Sequence, residues 1–513
     1  MTLRLTLILS AVFLFGAFAL GALFTTQACF MAGAGTGYPS LQQAINRADP
    51  GCTIILLGGT YQENVVIDKP LRIIPRAQAK PFAVLGQHPA GSSASAAFID
   101  PASPSALQAA NPDRPVVEIR ASHVEIQGLR IDGGTVGIQA TGVRDVHLRS
   151  NTISGPRDAG IRLEDVRQSS VQGNTVLRSP VGLQITNAQS LIVSGNSLRR
   201  NGQGIRLENA SASRLQDNEI ANGESAGLRL TSSHGNEIRQ NAILANAAGV
   251  VIENSSENTL VGNQIDRNDA PLRVRGSETS HYVHRITRDN SIDGRPIRYL
   301  VDAHDVTLSA SDNPGYLALV RSRNVTVRGV RLPEGSQGVL LIATRQSTIH
   351  DVTIPASEQG LFLQDADDNA LIGNRVERTA GSGITLARSS ANRLERNVVR
   401  ANEGHGVFLQ NADANALVAN DVRDNEQSGI HLTGSRGGRL TNNQIIGNWV
   451  GVYLERGGEH RLSANTISKS QFAVYVHATS TNQFEGNRLA ENRHASNRPE
   501  LLDHAAPSDG TTE

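Results

Sequence analysis

The segment Gly160-Ile-Arg-Leu-Glu-Asp-Val-Arg-Gln-Ser-Ser-Val-Gln-Gly-Asn174 is followed 22 residues on by Gly182-Leu-Gln-Ile-Thr-Asn-Ala-Gln-Ser-Leu-Ile-Val-Ser-Gly-Asn196. Three columns run through both: a Gly before a branched apolar residue (Gly160, Gly182), an Asn (Asn174, Asn196), and an apolar residue three positions before that Asn (Val171, Val193). Working outward, the Gly column reaches back to Gly137 and on through Gly204, Gly227 and Gly249. It resumes at Gly338, Gly360, Gly383, Gly406, Gly429 and Gly451, and Ala473 takes the slot in the last repeat. The Asn column runs from Asn151 to Asn263 and from Asn374 to Asn487, and the apolar column from Leu148 to Leu260 and from Leu371 to Phe484, in steps of 22 or 23. Independent columns sharing one period define a repeat, and a repeat overrides the length of 513 residues as a guide to domain number.

A unit this short cannot hold a helix pair, and its apolar residues alternate as in strands, so each repeat is a few short strands separated by turns. Such units stack as coils of a parallel β-helix, with equivalent residues about 4.8 Å apart. The Asn column then becomes a ladder of amides, each donating to the next, with a structural role. The turn glycine is expected where the chain needs φ > 0. Residues 268–336 lack the Gly and Asn marks, yet the 89 residues from Gly249 to Gly338 are close to four periods. Degenerate coils are therefore expected there, with Tyr299-Leu-Val and Val325-Thr-Val as strands and Asp312-Asn-Pro-Gly as a turn.

An open solenoid end needs a cap. Ser40 followed by Gln43 is a capping-box signature, and Leu41, Ala44, Ile45 and Ala48 share one helical face before Asp49-Pro50-Gly51, so a short capping helix is expected. Residues 1–28 hold Arg4 and then an apolar run from Leu5 to Phe24, which reads as a signal peptide or an N-terminal membrane anchor. Ala28-Cys29 leaves lipidation open too. Either way the working location is periplasmic or extracellular, with membrane anchoring by the N-terminus as the alternative. Cys29 and Cys52 can form at most one disulfide, and a bridge or a buried pair are both open. The β-helix is bounded at residues 38–490, loops are expected between Arg76 and Pro115, and residues 491–513 read as a disordered tail. With 48 basic and 48 acidic residues there is no net field to attract nucleic acid.

Ser40-Leu-Gln-Gln-Ala-Ile, Asp49-Pro-Gly-Cys-Thr-Ile-Ile-Leu and Gly59-Thr-Tyr-Gln-Glu-Asn-Val-Val-Ile-Asp-Lys-Pro-Leu resemble the opening of pectin-lyase-like proteins. The later coils resemble the module shared by carbohydrate-binding proteins and sugar hydrolases, seen also in the NosD family of periplasmic maturation proteins. The resemblance covers about residues 38–490 and implies a single-stranded right-handed parallel β-helix. It implies either a protein that binds, or binds and modifies, polysaccharide or a non-enzymatic maturation or cell-envelope partner of other proteins. Whether the chain is an enzyme stays open. If it is one, the resemblance points to a polysaccharide lyase, epimerase or glycoside hydrolase, and a lyase would call for calcium. No other cofactor is expected.

Catalytic candidates follow from the resemblance. Gly404-His405-Gly406-Val407 looks like the Gly-His-Gly segment of polygalacturonases, but Gly381-Ser382-Gly383 stands where those enzymes carry paired aspartates. Asp302-Ala303-His304-Asp305 looks like the Asp-Pro-His-Asp segment of alginate epimerases, with Ala in place of Pro, so Asp302, His304 and Asp305 are candidates for acid-base work. His281 and His284 are too few ligands for a metal. The residues two and four places after each Gly should face outward. In the first half these are Arg162, Arg206 and Arg229 beside Glu164, Glu208 and Glu253, which reads as a salt lattice or, as the alternative, as an Arg column that grips an anionic glycan. In the second half they are Phe362, Thr385, Phe408, His431, Tyr453 and Tyr475 beside Gln364, Gln410, Thr433, Glu455 and His477. Rings beside hydrogen-bonding groups suit a sugar chain, so Phe362, Phe408, His431, Tyr453, Glu455, Tyr475 and His477 are the expected ligand-binding residues. Ring stacking that stiffens the sheet, or cover by the C-terminal tail, is the competing account of the same column.

Overall fold

The computed structural model describes residues 28–33, 36–78 and 104–498. The signal or anchor reading of residues 1–28 therefore lies, but for Ala28, outside the described residues. The chain is an all-β solenoid of parallel strands stacked about 22 residues apart. Three inward columns carry the core: Ile161 pairs with Leu183 and Leu183 with Ile205, Val171 with Val193, and Val176 with Leu198. All are 2% exposed or less. Near-continuous apolar columns are what parallel strands buried against one another require. Among the described residues no helix is long and apolar enough to cross a membrane.

The Asn ladder forms as the spacing requires. Asn151 Nδ2 and backbone N both donate to Asn174 Oδ1, at 3.0 and 2.9 Å, and Nδ2 also donates to the Ile126 carbonyl. Each amide thereby satisfies backbone groups that the turn would otherwise bury unpaired.

The glycine column has a different cause from the one expected. Gly160 and its equivalents, Gly338 aside, are not at positive φ. A Cβ on Gly160 would lie 2.2 Å from Val176 Cγ1 and 2.6 Å from the Gly182 carbonyl, so close packing against the next coil excludes a side chain. The left-handed bend falls instead on the residue before each ladder Asn, such as Ser150, Gly173 and Asp217.

The helix Leu41–Arg47 caps the N-terminal end with Leu41, Ala44 and Ile45 buried. Ser40 Oγ accepts from Gln43 N, while Glu63, and not Gln43, completes the cap by accepting from Leu41 N and Gln42 N. Cys29 and Cys52 are joined, tying the strand Ala28–Ala32 to Cys52–Leu56. At the other end residues 492–498 differ from a free tail. Asn492 accepts from Ser470 N and donates to the Ile467 carbonyl, Asn497 does the same for both backbone groups of Val476, and His494–Ser496 adds a last strand. Amides that satisfy the final coil hold this segment, and 499–513 lie outside the described residues.

The segment 268–336 does hold coils, and it also reverses the chain. The last N-terminal coil places Ala270–Arg275, Arg285–Ile286 and Ser291–Ile292 in the three sheets. Asp293 and Gly294, both at positive φ, then make a two-residue hairpin that sets Arg295–Val301 antiparallel to Ser291–Ile292. Opposed residues of an antiparallel pair share a face. Ile292, in the N-terminal core, opposes Arg295, so Ile297 and Tyr299 point the same way. The next strands, Tyr316–Val320 and Val339–Ile342, run parallel to Arg295–Val301. The face that lines the interior of the N-terminal stack is thus the outer face of the C-terminal stack, whose core of Leu317, Leu319, Val339 and Leu341 lies on the other side. A chain that reverses while advancing along one axis keeps its hand only by circulating on the opposite side of the sheet.

The outward residues Tyr299, Tyr316, Ala318, Val320, Leu340 and Ile342 consequently close the end of the N-terminal core. Gln337 seals the exposed strand edge there: its Oε1 accepts from Val274 N at 2.8 Å and its Nε2 donates to the Val274 carbonyl at 2.9 Å. Arg273 and Arg275 clasp Glu358 across the junction.

Candidate functional site

The outward column of the C-terminal stack is in register from the junction to the last coil. Ala318 pairs with Leu340, Leu340 with Phe362, Phe362 with Thr385, Thr385 with Phe408, Phe408 with His431, His431 with Tyr453 and Tyr453 with Tyr475. Its first rungs are buried against the N-terminal stack. At Phe362 the column emerges half-buried, and beside it Gln364 is still covered, its amide 3.5 Å from the Ser277 carbonyl. Beyond that point the rungs are open on one side. The strands of this sheet are four residues long at Leu361–Gln364, Ile384–Ala387 and Val407–Gln410, but nine at Ser428–Arg436, Val450–Gly458 and Phe472–Ser480. The platform widens where the rings gather.

The rings are half-buried rather than fully outward, because they lean on one another. His431, only 8% exposed, stacks on Tyr453 with centroids 4.4 Å apart and planes 6° from parallel. Phe408 lies 5.1 Å from His431, and Tyr453 meets Tyr475 edge to face at 5.3 Å. Phe472 adds a second edge contact to Tyr475 and stacks on His494.

His405 joins this array and orders its protons. Ser428 N, which can only donate, is 3.2 Å from His405 Nδ1, so the neutral ring carries its proton on Nε2. That proton points at His431 Nδ1, 3.2 Å away, which leaves the His431 proton on Nε2. His431 Nε2 lies 3.4 Å from Glu455 Oε2, out of line for a hydrogen bond. Burial, with His431 adding to it, brings His405 down to about 4, and burial lowers His431 against the pull of Glu455. Burial raises the Glu455 carboxyl, but the Thr433 hydroxyl, Arg456 and His431 outweigh it and hold it below its ordinary value. Both histidines are neutral near pH 7. The two rings are a hydrogen-bonded, uncharged pair with one carboxylate beside it.

The other candidates stand apart from it. Asp302, at the junction, is ion-paired to Arg321 at 2.5 Å and lines a cavity of about 420 Å³ with Glu257, His284, Arg285 and Tyr299. His304 is exposed beside Arg323, and Asp305 accepts from Asn324 Nδ2 at 2.6 Å. Each of the three has a different neighbour, and no hydrogen bond joins one to another. His284 replaces an Asn of a turn ladder, with Asn258 N approaching Nδ1 and Nε2 bonded to the His281 carbonyl. His477 is exposed beside Glu455.

One residue of the face escaped the column reading. Trp449, the chain's sole tryptophan, is 63% exposed on the turn before Val450–Gly458. Its N donates to the Gln427 carbonyl at 2.9 Å and its carbonyl accepts from Gln471 N at 3.0 Å, which places Gln427 and Gln471 one coil to either side. The signal available was composition, one indole in 513 residues.

The family described as periplasmic copper-binding protein (NosD) matches residues 122–293 and 285–450. Together these span well over half of the chain. The chain belongs to the NosD family. A model of the right-handed beta helix region also matches residues 404–497 of this NosD-family chain. No curated protein matches it. Solved structures similar to it include an alginate lyase from Paenibacillus sp. str. FPU-7, at 14% identity over 65% of this chain and 91% of that one with a TM-score of 0.33. The Azotobacter vinelandii mannuronan C-5 epimerase AlgE6 A-module matches at 11% identity over 91% of each chain with a TM-score of 0.22, and the pectate lyase Pel9A at 12% over 67% of this chain and 80% of that one with 0.32. Likenesses at these levels say nothing of this chain's activity.

Among the described residues the donor set does not fit copper. Among the described residues no three His, Cys, Asp or Glu side chains are grouped to hold a metal. His405, His431 and Glu455 are strung along a line, with the imidazole proton of His405 between the two rings and Glu455 on the far nitrogen of His431. Both cysteines are spent on one bridge, which removes their thiolates from the soft ligands that copper favours.

Proposed function

We infer that this NosD-family chain is an exported β-helix that binds polysaccharide on the outer face of the C-terminal stack. The observation that carries the reading is the coincidence, in the last three coils, of nine-residue strands with Tyr453, Phe472, Tyr475 and Trp449 and a flank of Thr433, Glu455 and His477. Ring surface beside hydroxyl, amide and carboxylate groups matches the alternation of apolar C–H patches and hydroxyls on a sugar. The Cys29–Cys52 bridge supports residence in an oxidising compartment such as the periplasm. No nucleophile with its base is assembled on the face, so the reading is of binding.

A second reading, a maturation or envelope partner that docks on protein, is favoured by the stacking of His431 on Tyr453, which turns ring edges rather than faces outward. A glycan-array screen of the chain beside a Tyr453→Ala, Tyr475→Ala double variant decides between them. Binding that is lost in the variant supports the site. Binding to no glycan, or binding indifferent to the variant, overturns it in favour of a protein partner.

A further inference from the structure

We propose that the glycan is uncharged and equatorially linked, and that it lies along the solenoid axis with one sugar per coil, anchored on Trp449 between Gln427 and Gln471. This rests on the polysaccharide reading above and narrows it.

Charge is the first argument. The two outward columns from Phe362 to His477 contain no Lys or Arg and a single carboxylate, Glu455. Of the cations flanking the face, Arg456 sits 3.1 Å from Glu455, Arg388 is bonded through two nitrogens to Asp365 and Lys469 faces Glu491, while Arg436 is exposed at the far end of its nine-residue strand, outside both columns. The donation from Ser428 N to His405 Nδ1 fixes His405 as a neutral group. A polyuronate carries one carboxylate per sugar, and stripping each of water against aromatic rings without a partner cation is strongly unfavourable. An uncharged chain meets no such cost.

Geometry is the second. Trp449 stands exposed in the middle of the three widened coils, and the amides of Gln427 and Gln471 are not engaged by any side-chain or backbone partner within the described residues. An indole offers a broad flat face to the axial C–H groups of a pyranose, and primary amides both donate to and accept from hydroxyls in the ring plane. Equatorially substituted pyranoses present such flat apolar faces, with their hydroxyls at the rim. The coil rise of about 4.8 Å is close to the advance of one sugar in an extended chain with equatorial linkages. A chain along the axis therefore keeps step with Gln427, Trp449 and Gln471, whereas a chain across the strands meets a single rung.

Because Trp449 is the sole tryptophan, its emission reports the anchor directly. The whole chain is titrated with cello- and xylo-oligosaccharides and, separately, with oligomannuronate and oligogalacturonate of equal length, reading heat and fluorescence together. The expected result is binding of the neutral oligomers with quenching and a blue shift, no binding of the uronates, a loss of about tenfold or more in affinity for Trp449→Ala and recovery in Trp449→Phe. Uronates that bind better than neutral oligomers, and still depend on Tyr453 and Tyr475, would leave the glycan reading standing and overturn this one. Neutral binding with unchanged emission would overturn the Trp449 anchor. Silence toward every glycan would overturn both.

Discussion

The outer faces of the two stacks are built on the same coil and end in opposite chemistry. In the N-terminal stack the outward positions carry charges that consume one another: Arg229 meets Glu253 at 2.8 Å, Arg206 reaches Glu208 and Arg162 reaches Asp158. In the C-terminal stack the same positions carry rings and neutral polar groups, and the first rungs are a buried contact with the other stack. The difference shows that the solenoid constrains its inside and its turns, while the outer columns are free to become a closed lattice or an open platform.

The parts that both stacks share should be the most costly to disturb. Gly429→Val, and equally Gly204→Val, puts a side chain where Cβ alone would lie 2.6 Å from Ile445 Cγ2 or 2.2 Å from Ile220 Cγ2. Either is expected to abolish a cooperative thermal transition, a loss above about 4 kcal/mol. A face-specific effect at this size would break the comparison.

Acid should separate the stacks. His405 and His460 lie in the C-terminal stack and His284 in the last N-terminal coil beside the junction, and each is lowered to about 4, by burial first. Each binds fewer protons folded than unfolded, so its contribution is full above about 6.5, drains as pH falls toward 4 and is gone below that. The sum is on the order of several kcal/mol. Hydrogen exchange at pH 7 and pH 4.5 should show C-terminal strands losing protection before N-terminal ones, and simultaneous loss would contradict the assignment of these rings.

Asn397→Ala removes an amide that accepts from Asn374 N and Nδ2 and donates to the Leu371 carbonyl. It should cost about 3 kcal/mol in chemical denaturation, as should Asn196→Ala in the other stack. Smallest is the contrast between the faces themselves. Arg229→Ala should change stability by less than about 1 kcal/mol, because its ion pair is partly solvated. Tyr453→Ala, which strips two ring partners, should cost about 1–2 kcal/mol. Equal values for the two would argue that the rings do not act as a stack.

The repeat, its period and one amide ladder were legible because each occupies its slot with one residue type. Two further ladders were not, because Ser, Thr and His share their slots with Asn: Ser213 is followed by Asn236, Asn258 and then His284, and Asn402 is preceded by Thr379. What those slots demand is an acceptor for a backbone N–H, which several side chains supply. The chain reversal was hidden by arithmetic. The four passages between Gly249 and Gly338 include one coil of 19 residues, with Ala303 opposite Ser322, and one passage that is the hairpin. Their lengths sum to four periods while the sheet changes sides. At the site, the ring column was readable from alternation; His405 stood out by its Gly-His-Gly segment but not as a partner of the rings, and Trp449 not at all, because both lie on turns, where spacing carries no face information.

The exchange of inside and outside at Asp293-Gly294 leaves the C-terminal stack with one fixed end and one end that grows. Duplicating a stretch of 22 or 23 residues beyond Phe362 would lengthen the platform by a single rung without disturbing the join. The molecule is in this respect a ruler, graduated in coils, whose reach changes in whole steps.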